Sequence, residues 1–191
     1  MSGPQLLKAP PRVPAGATAD SAGIALGAGP ATVEAYIDFL CPFCKRFEEQ
    51  SGPALRTMLS DGLITLVYHP LGFLDDLSTT RYSSRAAASS GCASDGEAFL
   101  PYAEALFANQ PPEGGAGLSN AELLHIGSSV GLSPESFGRC LDKGVYLPWA
   151  QYVTGTAVAL GVRATPTVLV DGVPVPANAR MIATAVASAV R

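Results

Sequence analysis

The stretch Cys41-Pro42-Phe43-Cys44 holds the residues best suited to chemistry. Two thiols with two residues between them, at the start of a helix, come within bonding reach of each other. Pro42 marks that start, because its missing N–H is not needed in a first helical turn. Free amides and the positive end of a helix dipole favour an anion there. A Cys41 thiolate is therefore favoured over the thiol, and its pKa is expected to fall. Lys45 and Arg46 add a smaller, screened attraction. Cys41 precedes the helix and is expected to be the exposed, attacking sulfur. Cys44, one turn inside, is expected to be more buried and to resolve. The alternative is half a zinc site, or merely a buried pair. Zinc needs two more ligands, usually as a second close pair. Cys92, Cys140, His69 and His125 are scattered singletons, so the spacing favours redox chemistry without a metal.

The neighbouring elements must hold this pair. Thr32 to Phe39 is rich in β-branched and aromatic residues and reads as a strand. Its odd positions (Val33, Ala35, Ile37, Phe39) face one way and its even positions the other. Phe43, Phe47, Leu55, Met58 and Leu59 then recur at helical spacing, up to the break at Asp61-Gly62. Leu63 to Tyr68 is the next strand, ended by His69-Pro70. That is a βαβ unit. From Leu77 to about Leu160 only helices are expected, one opened by a capping box at Ser119 and Glu122. Thr167–Val170, Asp171-Gly172 and Val173–Val175 read as a hairpin, followed by a last helix. Ala22–Leu26 reads as a short edge strand, and residues 1–20 as a loose tail of Pro, Gly, Ala and Ser.

A chain of 191 residues, 48% hydrophobic and 15% charged, can build one domain with a real core. The net charge of -4 provides no basic footprint, so nucleic-acid binding has no support. No apolar run approaches the roughly 20 residues that span a bilayer. Leu6-Leu7 is followed by Lys8 and prolines, which is no signal-peptide core. Read literally, the chain is not exported. Four cysteines in two pairs suit an oxidising compartment instead. The cysteines carry more weight, so an extracytoplasmic place in the cell envelope, with any anchor or signal trimmed, is expected; the cytoplasm is the alternative. Arginine in excess of lysine, with abundant alanine, fits a bacterial source.

Cys41-Pro42-Phe43-Cys44 after a strand, a helical insertion, then Ala164-Thr165-Pro166-Thr167 before a hairpin and helix together resemble the thioredoxin fold. The insertion and the CPxC form resemble DsbA-like thiol-disulfide oxidoreductases, over about residues 22–191. The resemblance implies an α/β architecture. A thioredoxin-fold domain would be formed by residues 21–76 and 156–191, with an inserted helical subdomain at 77–155. It implies that Pro166 is cis and lies beside the cysteines, leaving the Thr165 backbone to pair with an extended substrate. Pro42 and Phe43 would shape the site. Many members carry a histidine between the cysteines; Phe43 cannot donate to the thiolate, so a less extreme pKa is expected. Many also carry a buried carboxylate six residues before the first cysteine, where this chain has Ala35. Proton removal from Cys44 then falls to water or Asp38, with a capping or surface role for Asp38 equally open.

Cys92 and Cys140 both fall in the insertion and are expected to form a structural disulfide. It would close roughly 50 residues and add ~4 kcal/mol in the chain-entropy model. Two inert free thiols in a reducing compartment are the alternative. The implied activity is oxidation of protein dithiols through a mixed disulfide. The implied partners are thiol-containing proteins and a recycling partner, which can be membrane-bound; no cofactor is needed and a monomer is expected. A cytosolic reductase or isomerase with the same site, or a non-catalytic binding or chaperone module, remains open.

Overall fold

The computed structural model describes residues 7–190. The first six residues of the expected tail, and Arg191, lie outside that range. The centre is β2 (Ala31–Ile37), whose side chains Val33, Ala35 and Ile37 are fully buried. The chain then enters α1 (Pro42–Ser60) and returns through β3 (Ile64–Pro70), which pairs with β2 in parallel. A parallel pair needs such a crossover, and a helix is its usual form. β3 runs on through His69 and Pro70, past the stop expected at that dipeptide. Pro70 is paired opposite Ile37, and Leu71 N–H donates to the Ile37 carbonyl at 2.7 Å. The ladder thus continues on the next amide, which is why a terminal proline is tolerated.

β1 (Ile24–Leu26) lies antiparallel on the outer side of β3. On the other side of β2 runs β4 (Thr167–Val170), antiparallel, followed by β5 (Val173–Val175). The sheet order is β1-β3-β2-β4-β5. Asp171 and Gly172 both have positive φ (47° and 77°), the geometry of a tight two-residue hairpin turn. α7 (Ala179–Ala189) closes the chain and packs against α1, β2 and β4.

Between β3 and β4 lie a short 3-10 helix (Asp75–Leu77) and five α-helices: α2 (Tyr82–Asp95), α3 (Phe99–Ala108), α4 (Asn120–Ser129), α5 (Pro134–Asp142) and α6 (Leu147–Ala159). Ser119 and Glu122 form the capping box that opens α4. α2 is the hub: it packs on α3, α5 and α6. Its Ala- and Ser-rich sequence is almost wholly buried, so neighbouring helices approach closely. Cys92 of α2 and Cys140 of α5 form a disulfide at a sequence separation of 48.

The stretch from Val13 to Ser21 is not the loose segment its composition implies. Ala15 N–H donates to Asp95 at 2.9 Å, and Ser94 donates back to the Ala15 carbonyl. Tyr152 and Trp149 donate to the carbonyls of Asp20 and Ser21 at 2.7 and 2.8 Å. Side chains of α2 and α6 thus supply the partners that its own small residues lack.

Candidate active site

Three sheet connections meet at one end of the sheet. β2 runs out into Asp38-Phe39-Leu40 and then the cysteine pair. Parallel β3 ends beside it, so Leu71–Leu74 emerge on one side. Antiparallel β4 begins opposite Tyr36, so Ala164-Thr165-Pro166 arrive on the other side. The Thr165–Pro166 bond is cis. The topology therefore brings together Cys41, Cys44, Pro42, Phe43, Thr165 and Pro166. Cys92 and Cys140 sit apart, in the helical insertion. His69 is buried, stacked on Tyr36 at 4.1 Å, and His125 is exposed on α4. No group of three His, Cys, Asp or Glu among the described residues is placed to hold a metal ion.

Cys41 caps α1, with its carbonyl accepting from the amides of Cys44 and Lys45 at 3.1 and 3.2 Å. Pro42 is the first helical residue. The expectation of an exposed Cys41 needs correcting: the residue is 4% exposed, and Cys44 is fully buried. Cys41 lies at the base of a cleft, so its surroundings cover most of it while its site stays open. The cleft has a volume of about 720 Å³. Pro42 and Phe43 form one wall, Phe73 and Leu74 a second, and Val158, Val162, Ala164 and Thr165 a third. Glu113 and Arg163 are its two charged members.

Cys41 and Cys44 are both free thiols. Cys41 Sγ donates to the Thr165 carbonyl at 3.4 Å. The Cys41 pKa is lowered to about 6. Its largest cause is the hydrogen bond from the Cys44 thiol, opposed by burial; the Thr165 side chain and the amides of Cys44 and Phe43 lower it further. Thr165 acts both ways, since its carbonyl accepts from the neutral thiol while its side chain favours the anion. The helix-start amides favour the anion as expected, after the larger contribution of the partner thiol. Arg46 stacks over the Phe43 ring at 5.5 Å. Burial, followed by the bond to Cys41 and its charge, pushes the Cys44 thiol far up. The only donor to its sulfur among the described backbone amides is Asp38 N–H, at 3.4 Å.

Asp38 is fully buried rather than at the surface. Its carboxylate accepts from Leu40 N–H at 2.9 Å, Ser83 Oγ at 2.7 Å and Leu74 N–H at 2.9 Å. One side chain thus ties the active turn to the cleft wall and to α2. Burial raises its pKa to about 6 against these three donors, and the Cys41 charge adds to the rise. Gln110, beyond α3, went unnoticed in the sequence. Its Nε2 donates to the carbonyls of Phe39 and Cys41 at 2.9 and 3.0 Å. Nothing local marks it, for its partners lie 71 and 69 residues away. Asp38 did leave a signal, a lone acid among apolar residues just before the pair.

Comparison with known proteins agrees with this geometry. The profile of the thioredoxin family matches residues 21–184. A reduced disulfide bond oxidoreductase, DsbG from Mycobacterium tuberculosis, is 33% identical with a TM-score of 0.71, covering 80% of this chain and 79% of that one. Reduced DsbA from Mycobacterium tuberculosis is 30% identical with a TM-score of 0.72, covering 87% and 98%. The serine/threonine-protein kinase PknE of Mycobacterium tuberculosis is 32% identical over 139 residues, 69% of this chain but 24% of the kinase. The chain therefore spans about a quarter of that curated relative. It belongs to the thioredoxin family, among the DsbA-like thiol-disulfide oxidoreductases.

Proposed function

We propose that this oxidoreductase works as an oxidase, passing a Cys41–Cys44 disulfide to the thiols of other proteins. The observation that carries this reading is the inequality of the two thiols. One is pulled down to about 6 at the base of a cleft, while the other is pushed far up beneath it. Cys41 is then the sulfur that exchanges with substrate and Cys44 the one that resolves.

In the oxidised protein a substrate thiolate attacks Cys41 Sγ. A new S–S bond forms, the Cys41–Cys44 bond breaks, and Cys44 departs with the electron pair. Asp38 N–H steadies the departing sulfur, which takes up a proton. The substrate's second thiolate then attacks its own bridged sulfur, and Cys41 leaves as a thiolate. Two electrons have passed from the substrate dithiol to the protein, and the substrate holds a disulfide. A low pKa makes Cys41 a good leaving group, so the equilibrium favours donation. The largely apolar cleft suits an extended, unfolded segment lying along Thr165 and Pro166. Pro42 and Phe43 form its nearer wall.

The cycle needs a partner that reoxidises the pair, and a membrane-bound one is compatible with it. The Cys92–Cys140 disulfide supports an extracytoplasmic site of action. No helix of the described residues is long and apolar enough to cross a membrane.

The test is the equilibrium constant of the pair with glutathione, together with a Cys44→Ala variant offered a reduced protein substrate. An oxidase gives a potential well above that of thioredoxin, about −270 mV, and the variant accumulates a mixed disulfide through Cys41. A potential at or below that value overturns the oxidase direction.

A further inference from the structure

The cleft is apolar on three sides and carries two charges whose circumstances differ. Arg163 is already engaged: its Nη1 donates to the carbonyls of Val158 and Val162 at 2.7 and 3.0 Å. The Val158 carbonyl lies in the last turn of α6 and the Val162 carbonyl just beyond it, so the cation sits by the negative end of that helix. Glu113 has no such partner. Among the described residues its carboxylate accepts no hydrogen bond and pairs with no cation. It is exposed, yet it lines the cleft that holds Cys41.

The loop that carries Glu113 is well anchored. Gln110 fastens one end to the carbonyls on either side of Leu40, at 2.9 and 3.0 Å. Gly114 N–H donates to the Leu77 carbonyl at 2.7 Å, and Thr79 N–H to the Gly115 carbonyl at 2.9 Å. The acid is thus held between two fastenings, one of them on the active turn itself. A segment entering the cleft meets apolar walls, a cation whose hydrogen bonds are already taken up by two carbonyls, and one unpaired anion.

We propose that Glu113 is a specificity-determining residue, selecting substrate segments that carry a lysine or arginine beside the reacting cysteine. The inference rests on the oxidase reading and names the substrate class of that same site. Charge complementarity is its warrant: an unpaired carboxylate at a cleft with low-dielectric walls attracts cations to it. A rim pair of this kind contributes a modest amount, about 0.2–1 kcal/mol, or roughly 1.5- to 5-fold in rate. The preference must weaken as salt rises, because an exposed pair is screened over about 8 Å at physiological ionic strength.

The experiment uses two reduced dithiol peptides that differ only in lysine or glutamate next to the first cysteine. A lysine also lowers the pKa of its neighbouring thiol, so each rate is divided by that of the same peptide with oxidised glutathione. The oxidised protein is expected to favour the lysine peptide roughly 2- to 5-fold. Glu113→Gln brings the corrected ratio close to one, and Glu113→Lys inverts it. The wild-type preference fades in high salt. A corrected ratio at or below one for the wild type, or one that neither substitution moves, overturns the proposal. If the wild type oxidises neither peptide, the oxidase reading fails instead.

Discussion

Cys41 Sγ lies 3.4 Å from the carbonyl oxygen of Thr165, across 124 positions of sequence. The contact joins the exit of the central strand to the entrance of its antiparallel neighbour. It puts the reactive sulfur between a helix start and an imide-bearing turn, and each side of the site inherits its position from the sheet.

Reactivity of Cys41 should follow its own ionisation. Its thiolate forms as pH rises through about 6, and only the thiolate is a nucleophile. Alkylation of the reduced protein is therefore slow at pH 4, climbs with a midpoint near 6 and levels off by neutrality. Cys44, with its pKa pushed up, stays unmodified throughout. Rates measured from pH 4 to 8, with the modified residue located by mass spectrometry, check both statements. A midpoint near that of free cysteine, about 8.5, contradicts the geometry.

Asp38→Asn should lower the Cys41 midpoint further. Above pH 6 the wild-type carboxylate is charged and opposes the thiolate, and the coupling is mutual. Stability should respond as well. The folded pKa of Asp38 is raised from 3.8 to about 6, so the folded state binds the extra proton. The resulting stabilisation is fully present below pH 3.8 and is lost as pH rises through about 6. Relative to Asp38→Asn, the wild type loses on the order of 2–3 kcal/mol across that window. Denaturant unfolding of the two proteins at pH 4 and pH 7 measures the change.

Gln110→Ala removes two hydrogen bonds that fasten the helical insertion to the active turn. A cost of about 1–2 kcal/mol in unfolding free energy is expected. Turnover should fall as well, because the turn loses its support on the insertion side. Glutamate at this position should be worse than alanine, since a carboxylate would face two carbonyl oxygens. Chemical denaturation and the rate of dithiol oxidation, measured on both variants, test the order.

The Cys92–Cys140 bond joins positions separated by 48 in sequence. Its loss through the double substitution Cys92→Ala, Cys140→Ala should cost up to ~4 kcal/mol in the chain-entropy model. The reduction potential of the Cys41–Cys44 pair should hardly change, because the two disulfides occupy separate parts of the fold. A large shift in that potential would refute the separation.

Much of this protein is written in short-range patterns. The strand before Cys41, the helix that begins at Pro42, the capping box at Ser119 and the turn at Asp171-Gly172 all follow from local sterics and periodicity. Neighbouring residues alone decide such features, so they are legible without coordinates. The redox pair was legible for the same reason, because its spacing is a local fact. Other features needed the assembled chain. Asp38 became a three-donor hub only when Leu74 and Ser83 were packed against it. Gln110 became a clamp on Cys41, and residues 13–21 became ordered, through partners on distant helices. Cys41 lost its exposure to walls built from three separate connections. Local geometry is set by adjacent atoms, whereas burial, partner choice and charge balance depend on which remote surfaces the sheet brings to one edge.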